Sequence, residues 1–125
     1  VDYSVTREQF GAPIGALQLV QRRLAHMLRQ VAGAQVLALH LGRLKDDGRL
    51  RPEQVSLGKL SNVDAALDVA REARQALGAN GITLEYPVMR HAANLESVVT
   101  YEGTSDVHTL VLGAGLTGIP AFRPA

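Results

Sequence analysis

A long series of apolar residues at helical spacing is the feature that most constrains the fold of this chain. Between about Ile14 and Leu44 the apolar side chains recur every three or four residues, the period of one face of an α-helix. They stand at positions 17, 20, 24, 27, 28, 31, 34, 37, 38 and 41. The series ends at the Asp-Asp-Gly of residues 46–48, which is typical of a turn. The sequence therefore predicts a helix over about residues 14–44, the longest in the chain.

Start and stop signals predict three further helices. Pro52 suits the first turn of the second helix and Gly78 its left-handed exit. Pro87 opens a third helix, expected through about residue 95, and a fourth follows Thr104 and ends near residues 115–118. The segment FGAPIGAL (10–17) is interpreted as a turn, and no stretch alternates with the period of a strand. The predicted fold class is all-α and like a four-helix bundle: a long antiparallel pair with two shorter helices packed on it.

The composition indicates one globular domain over residues 1–125. The chain is 46% hydrophobic and 20% charged, which is ordinary for a globular protein, and aromatic residues make up only 4%. A net charge of +1 gives no indication of nucleic-acid binding, and no apolar run has the length of a membrane span. The absence of cysteine excludes disulfides and fits a reducing compartment. We therefore expect a cytoplasmic or mitochondrial-matrix protein.

Two candidate sites carry weak signals when taken alone. The four histidines (26, 40, 91 and 108) never stand four residues apart beside an acid, so no metal site is predicted. The segment GANG (78–81) only superficially resembles a nucleotide-binding loop, because a dinucleotide fingerprint opens a helix and this segment closes one. A helix cap explains Gly78 but leaves Gly81 without a role.

The segment YEGTSD (101–106) is more informative. If Thr104 or Ser105 caps the fourth helix, Asp106 fits the first turn, and Glu102 lies on the preceding loop. Gly103 would let a ligand approach the backbone there. A catalytic base needs reach, partial burial and a fixed approach to its substrate. The residues alone leave two alternatives open: a catalytic carboxylate, or a surface glutamate near a helix start.

Four segments in this order resemble the C-terminal helical domain of the acyl-CoA dehydrogenases. They are REQFGAPIGALQ (7–18), RQALGANGITLEYPV (74–88), RHAANLE (90–96) and TYEGTSDVH (100–108). The combination of RHAANLE with GRLKDDG (42–48), TYEGTSDVHTLVLG (100–113) and LTGIPAF (116–122) is most similar to the glutaryl-CoA dehydrogenase branch of that family. The resemblance covers nearly the whole chain.

The resemblance implies roles for the segment around Glu102. Glu102 matches the base that removes the α-proton of an acyl-CoA thioester, while hydride passes from the β-carbon to N5 of FAD. Its backbone N–H matches one donor to the thioester oxygen. Substrate contacts are implied for Tyr101 and Gly103. FAD contacts are implied for Thr104, Ser105 and Asp106.

Further residues match positions that reach the FAD of a neighbouring subunit. One set is Arg7, Gln9 and Phe10, with Arg7 at the pyrophosphate. A second set is Gln75, Ala76, Leu77, Gly78 and Ala79. Ala79 replaces the usual second glycine, which would weaken FAD binding if a close backbone contact needs that glycine, and Gly81 serves the tight turn. Gln18 matches the polar half of a histidine–glutamine pair, whereas Leu17 is given no role.

The resemblance thus implies the C-terminal part of a FAD-dependent acyl-CoA dehydrogenase. In the glutaryl-CoA branch the substrate is oxidised and decarboxylated to crotonyl-CoA, and electrons leave to an electron-transfer flavoprotein. The family forms homodimers or tetramers. Its N-terminal helical and middle β domains are absent from this chain, so we expect the chain alone to be inactive, to self-associate and not to hold FAD stably. The alternatives are another acyl-CoA dehydrogenase, an acyl-CoA oxidase, or a non-catalytic helical oligomerisation module.

Overall fold

The chain folds as an all-α domain, as predicted. The structure is a computed structural model that describes residues 1–121, so Phe122 at the end of LTGIPAF lies outside the described residues. The described helices are α1 (Asp2–Thr6), α2 (Gln18–Asp46), α3 (Pro52–Ala76), α4 (Val88–Thr100) and α5 (Ser105–Thr117). Short 3-10 helices span Ile14–Ala16 and Gly78–Ile82, and β1 (Glu8–Gln9) pairs antiparallel with β2 (Ala12–Pro13).

The long helix α2 begins four residues later than predicted. Leu17 is extended, with φ −79° and ψ 130°, and the preceding residues form a separate 3-10 turn. This turn is fixed against α1, because Ile14 is buried and a Cβ on Gly15 would lie 2.9 Å from the carbonyl oxygen of Ser4. The local packing therefore stops the helical pattern from extending back to Ile14.

Helix α3 is the centre of the bundle. Residues near its end pair with the start of α2, as in the contact of Arg23 with Glu72, so the two long helices are antiparallel. His26 of α2 contacts the Asp68 carboxylate on α3; hydrogen bonding from His26 and then Gln30 holds the pKa of Asp68 below its usual value. Both shorter helices also pack on α3. The predicted arrangement of a long pair with two shorter helices is confirmed.

Helix α4 is longer than predicted and ends at Thr100, not near Leu95. Val98 belongs to its apolar face and lines a groove against α2 and α3, so packing continues the helix past the predicted end. The Thr100 hydroxyl donates to the carbonyl of Glu96 at 3.0 Å. Tyr101 then leaves the helix in an extended conformation. The extra turn places the Glu102 segment against α3.

The bundle buries little apolar surface. The buried apolar residues in the described part are Ile14, Leu67 and Ala70, and α2 contributes no buried residue. An apolar groove of about 680 Å³ runs between residues 30–38 of α2, 62–73 of α3 and 88–98 of α4. We call it the α2–α3–α4 groove. None of the helices within residues 1–121 combines the length and the hydropathy needed to cross a bilayer.

Candidate functional site

Two non-glycine residues within residues 1–121 adopt a left-handed backbone: Phe10 (φ 58°) and Glu102 (φ 54°). This conformation costs an ordinary L-residue about 1–2 kcal/mol. Such residues persist only where the surroundings enforce them, and they are concentrated at functional sites. The family resemblance predicts both Phe10 and Glu102 as site residues. Each of them lies in a separate cluster of predicted site residues.

The first cluster begins at a tight hairpin. Phe10 and Gly11 join β1 to β2 with φ values of 58° and 78°, the geometry of a two-residue type I′ turn. Each strand has only two residues, which is too short for an alternating pattern to predict. The Phe10 ring projects into solvent, with 90% of the residue exposed. The hairpin follows Arg7, whose carbonyl accepts a hydrogen bond from the Ile14 N–H at 2.8 Å.

A cleft of about 330 Å³ lies between this segment and the end of α3. We call it the Arg7 cleft, and it is lined by Tyr3, Arg7, Gln9, Ile14, Leu17, Val20 and residues 75–80. Its two walls are joined by the Asn80 side-chain amide, which donates to the Tyr3 hydroxyl at 3.0 Å. Seven of the residues predicted to bind FAD meet here: Arg7, Gln9, Gln75, Ala76, Leu77, Gly78 and Ala79.

The Arg7 cleft suits a polar anionic ligand. Arg7 is exposed and makes no ion pair with any described carboxylate, and side-chain amides lie beside it on Gln9 and Gln75. An arginine fork and neutral amide donors are suited to phosphate oxygens. Neither Phe10 nor Gln18 lines the cleft, whereas Leu17, which was given no role, does line it.

The segment after α3 shows why its glycines are needed. Gly78 takes the left-handed conformation expected of a helix exit, with φ 61°. Gly81 is buried, and a Cβ there would lie 2.2 Å from the Arg74 carbonyl oxygen, so its role is close packing on α3 and not a left-handed turn. Ala79 has no positive φ, so alanine brings no backbone strain at the position of the usual second glycine.

The second cluster is the Glu102 loop, residues 101–104, between α4 and α5. Glu102 is exposed within this chain, so the partial burial expected of a base does not come from the described residues. Gly103 has φ 93°, and a Cβ there would lie 2.8 Å from His108 Nε2. Glycine is thus required at this position by both backbone conformation and space.

Three successive carbonyls of the loop are bound by two side chains. The Lys59 ammonium of α3 donates to the carbonyl oxygens of Tyr101 and Gly103, and it lies 5.8 Å from the centroid of the Tyr101 ring. His108 of α5 donates from Nε2 to the Glu102 carbonyl at 3.1 Å. Its Nδ1 lies 3.0 Å from the hydroxyl of Ser56, a buried residue of α3. Neither Lys59 nor His108 was predicted as a site residue from the sequence.

Thr104, and not Glu102, opens α5. The Thr104 hydroxyl accepts a hydrogen bond from the Val107 N–H at 3.3 Å, and Asp106 lies in the first turn. This is an ordinary N-cap, with an acid complementing the positive end of the helix. Glu102 therefore has no capping task, which removes one explanation for a carboxylate at this position.

The two clusters lie at opposite ends of α3. Lys59 and Gln75 are roughly 24 Å apart along the helix axis, at 1.5 Å of rise per residue. The chain therefore carries two separate candidate sites. No group of three or more histidine or acidic side chains among residues 1–121 is arranged to hold a metal ion.

Comparison with known proteins identifies the class. The model for "Acyl-CoA dehydrogenase, C-terminal domain" matches residues 1–117. The chain therefore belongs to the acyl-CoA dehydrogenase family, in which it corresponds to the C-terminal domain. It is 34% identical over 116 residues to the human mitochondrial short-chain specific acyl-CoA dehydrogenase, covering 93% of this chain and 28% of that protein.

Solved structures give a closer likeness. The chain is similar to a glutaryl-CoA dehydrogenase from Mycobacterium smegmatis, with 62% identity and a TM-score of 0.95, covering 98% of this chain and 32% of that one. It is also similar to a Mycobacterium smegmatis glutaryl-CoA dehydrogenase in complex with FADH2, with 54% identity, a TM-score of 0.94 and the same coverage of 98% and 32%. This chain thus spans about a third of the length of these relatives.

Proposed function

We propose that this chain is the C-terminal domain of a FAD-dependent acyl-CoA dehydrogenase in which Glu102 is the catalytic base. The main observation that supports this proposal is the left-handed backbone of Glu102. Side chains of α3 and α5 hold this conformation in place, although Glu102 does not cap a helix. Such strain persists where function requires a fixed geometry. The match of the YEGTSD segment to the family motif supports the same role.

In the proposed reaction Glu102 acts through two groups. The α-proton of a thioester is too weakly acidic for a solvated carboxylate to remove alone, so the thioester oxygen must be polarised as the proton leaves. The Glu102 carboxylate accepts the α-proton, and its backbone N–H donates a hydrogen bond to the thioester oxygen. When bound, FAD would supply the acceptor for the hydride of the β-carbon, and a double bond between the α- and β-carbons would remain. Gly103, which has no side chain, would let the thioester approach the loop backbone.

Two flavins would contact each chain in this proposal. Thr104, Ser105 and Asp106 would contact the flavin that reacts beside Glu102, and the Arg7 cleft would hold the pyrophosphate of a neighbouring subunit's flavin. The two clusters lie roughly 24 Å apart along α3, which fits one flavin site at each of them. The unpaired Arg7 and the nearby amides supply donors that fit a pyrophosphate. Phe10 and Gln18 would contact the same flavin from outside the cleft.

The proposed substrate and electron acceptor follow from the 62% identity to a glutaryl-CoA dehydrogenase. We propose glutaryl-CoA as the substrate, decarboxylation to crotonyl-CoA after oxidation, and an electron-transfer flavoprotein as acceptor. The remaining two-thirds of a longer subunit would cover Glu102 and exclude water from it. A homodimer or tetramer in the bacterial cytoplasm or the mitochondrial matrix completes the proposal.

The test uses the intact flavoprotein that contains this domain and the variant Glu102→Gln. Positioned acid–base groups contribute about a hundred- to ten-thousand-fold to a rate, so flavin bleaching by glutaryl-CoA should slow at least about a hundredfold. Anaerobic stopped-flow absorbance measures the bleaching, with bound FAD and thermal stability checked first. Glu96→Gln, which removes a carboxylate from the exposed Arg71 ion pair, is the matched control and should bleach normally. Normal bleaching by Glu102→Gln would overturn the proposal.

A further inference from the structure

The Glu102 loop is fixed to α3 by a lysine whose role the family motif does not describe. Lys59 is half-buried, and its ammonium group reaches the carbonyl oxygens of Tyr101 and Gly103, which flank Glu102 on both sides. It makes no ion pair with a described carboxylate. A lysine ammonium is a compact charge with three donors, which allows it to bind two carbonyls at once.

These contacts determine the backbone conformation of the base. The Tyr101, Glu102 and Gly103 carbonyls belong to three successive peptide planes, and each plane is rigid. Lys59 binds the first and third carbonyls and His108 binds the second, so the dihedral angles of Glu102 and Gly103 are both fixed. Without these bonds, Glu102 would regain the lower-energy right-handed or extended conformations open to any L-residue.

Lys59 also sets the direction of the Glu102 N–H. In a trans peptide the C=O of one residue and the N–H of the next point in opposite directions. The Tyr101 carbonyl points towards Lys59 on α3, so the Glu102 N–H points away from that helix. This N–H is the group that the proposed function assigns to the thioester oxygen.

We propose that Lys59 is a positioning residue that fixes both the carboxylate and the backbone N–H of Glu102 for proton abstraction. His108 completes the arrangement, because its Nε2–H donates to the Glu102 carbonyl and its Nδ1 lies within hydrogen-bonding distance of the Ser56 hydroxyl. The inference rests on the proposed function of Glu102. It adds a residue of α3, remote in sequence from the motif, to the requirements of the reaction.

The test compares Lys59→Met, Lys59→Arg and Arg71→Met in the intact flavoprotein. Lys59→Met removes the donors but keeps the length of the side chain, and Lys59→Arg restores donors. Arg71→Met removes a different cationic contact between α3 and α4, the Glu96 ion pair at 2.9 Å. Arg71 lies roughly 18 Å from Lys59 along the axis of α3. This variant therefore controls for a general effect of losing a cation from α3.

Lys59→Met should slow flavin reduction by about a hundredfold, because small misplacements of positioned groups cost that much. The loss should fall on kcat and spare KM, since the Glu102 N–H binds the thioester oxygen most strongly in the transition state. Lys59→Arg should recover most of the rate, and Arg71→Met should match the unaltered protein. An unchanged rate for Lys59→Met, or an equal loss for Arg71→Met, would overturn the inference.

Two further measurements keep the outcome unambiguous. If Lys59→Met does not retain FAD, Lys59→Gln keeps one amide donor and should give an intermediate rate; an unaltered rate would count against the inference. Glu102→Gln is measured in parallel. If Glu102→Gln reduces its flavin normally, the proposed function itself is wrong; if it is slow while Lys59→Met is not, only the role of Lys59 is wrong.

Discussion

Glu102 occupies a conformation that its own chemistry disfavours. Its left-handed φ of 54° costs about 1–2 kcal/mol for an L-residue, and glycine would avoid most of that cost. The neighbouring residue, Gly103, also has a positive φ, and there the chain does use glycine. Folding alone does not explain a carboxylate at this strained position, which supports the catalytic role proposed for Glu102.

Replacing Glu102 with glycine should stabilise the chain while removing the proposed base. We expect the free energy of unfolding of this 125-residue chain to rise by up to about 1 kcal/mol, because the left-handed strain is relieved. Denaturant unfolding at fixed protein concentration measures the change. Glu102→Ala keeps a Cβ and should give no such gain. An equal gain for the alanine variant would mean that backbone strain is not the cause.

At the level of elements, the sequence predicted those helices that have clear terminal signals. Pro52 and Gly78 bounded α3, and Thr104 marked the start of α5. The predicted start of α2 and the predicted end of α4 were wrong, because the packing of Ile14 and of Val98 sets where these helices begin and end. The hairpin at Phe10 was missed because two-residue strands carry no period. Tertiary contacts, which no local pattern encodes, account for each difference.

The difference between local sequence signals and tertiary contacts also explains which residues of the candidate site were predicted. Seven of the residues that line the Arg7 cleft were named from family motifs, and their proximity follows from α1 packing on the segment after α3. Lys59 was not found, because its partners are more than forty residues away and a lysine in a helix is ordinarily a solvated side chain. Contacts between segments that are distant in sequence can be identified only from the structure.

Gly81 gives a test of how the segment after α3 is held. Gly81→Ala should destabilise the chain by about 1–3 kcal/mol, because the added Cβ would meet the Arg74 carbonyl, a backbone atom that cannot rotate away. Thermal and denaturant unfolding measure the loss. Gly42→Ala in α2 has open space around its Cβ and should be neutral or stabilising by up to about 1 kcal/mol. A neutral Gly81→Ala would contradict the close packing described here.

At the scale of the whole molecule, the thin core indicates that the bundle is completed by further contacts. Large apolar side chains such as Leu28 and Val36 are 71% and 69% exposed, and the α2–α3–α4 groove is lined mainly by alanine and valine. Exposed apolar side chains and an apolar groove of this kind are typical of an interaction site. They fit a domain that packs against other domains and other subunits.

We therefore expect the isolated chain to self-associate through the α2–α3–α4 groove. Ala38→Glu places a charge in the groove and should shift the chain towards monomer, as measured by sedimentation equilibrium at high micromolar concentration. Leu84→Glu, at a fully exposed position outside the groove, is the control and should leave association unchanged. A monomeric unaltered chain would contradict the expectation, and an effect of the Leu84 variant alone would place the contact elsewhere.

The central claim, that Glu102 removes the α-proton, is tested most directly by isotope exchange. If the flavin of the intact protein is reduced beforehand, hydride transfer is blocked and only reversible proton removal remains. In D2O, mass spectrometry of the recovered acyl-CoA then measures deuterium at the α-carbon. We predict exchange by the unaltered protein and by Glu96→Gln, and exchange at least about a hundredfold slower in Glu102→Gln. Exchange by Glu102→Gln at the unaltered rate would contradict the claim.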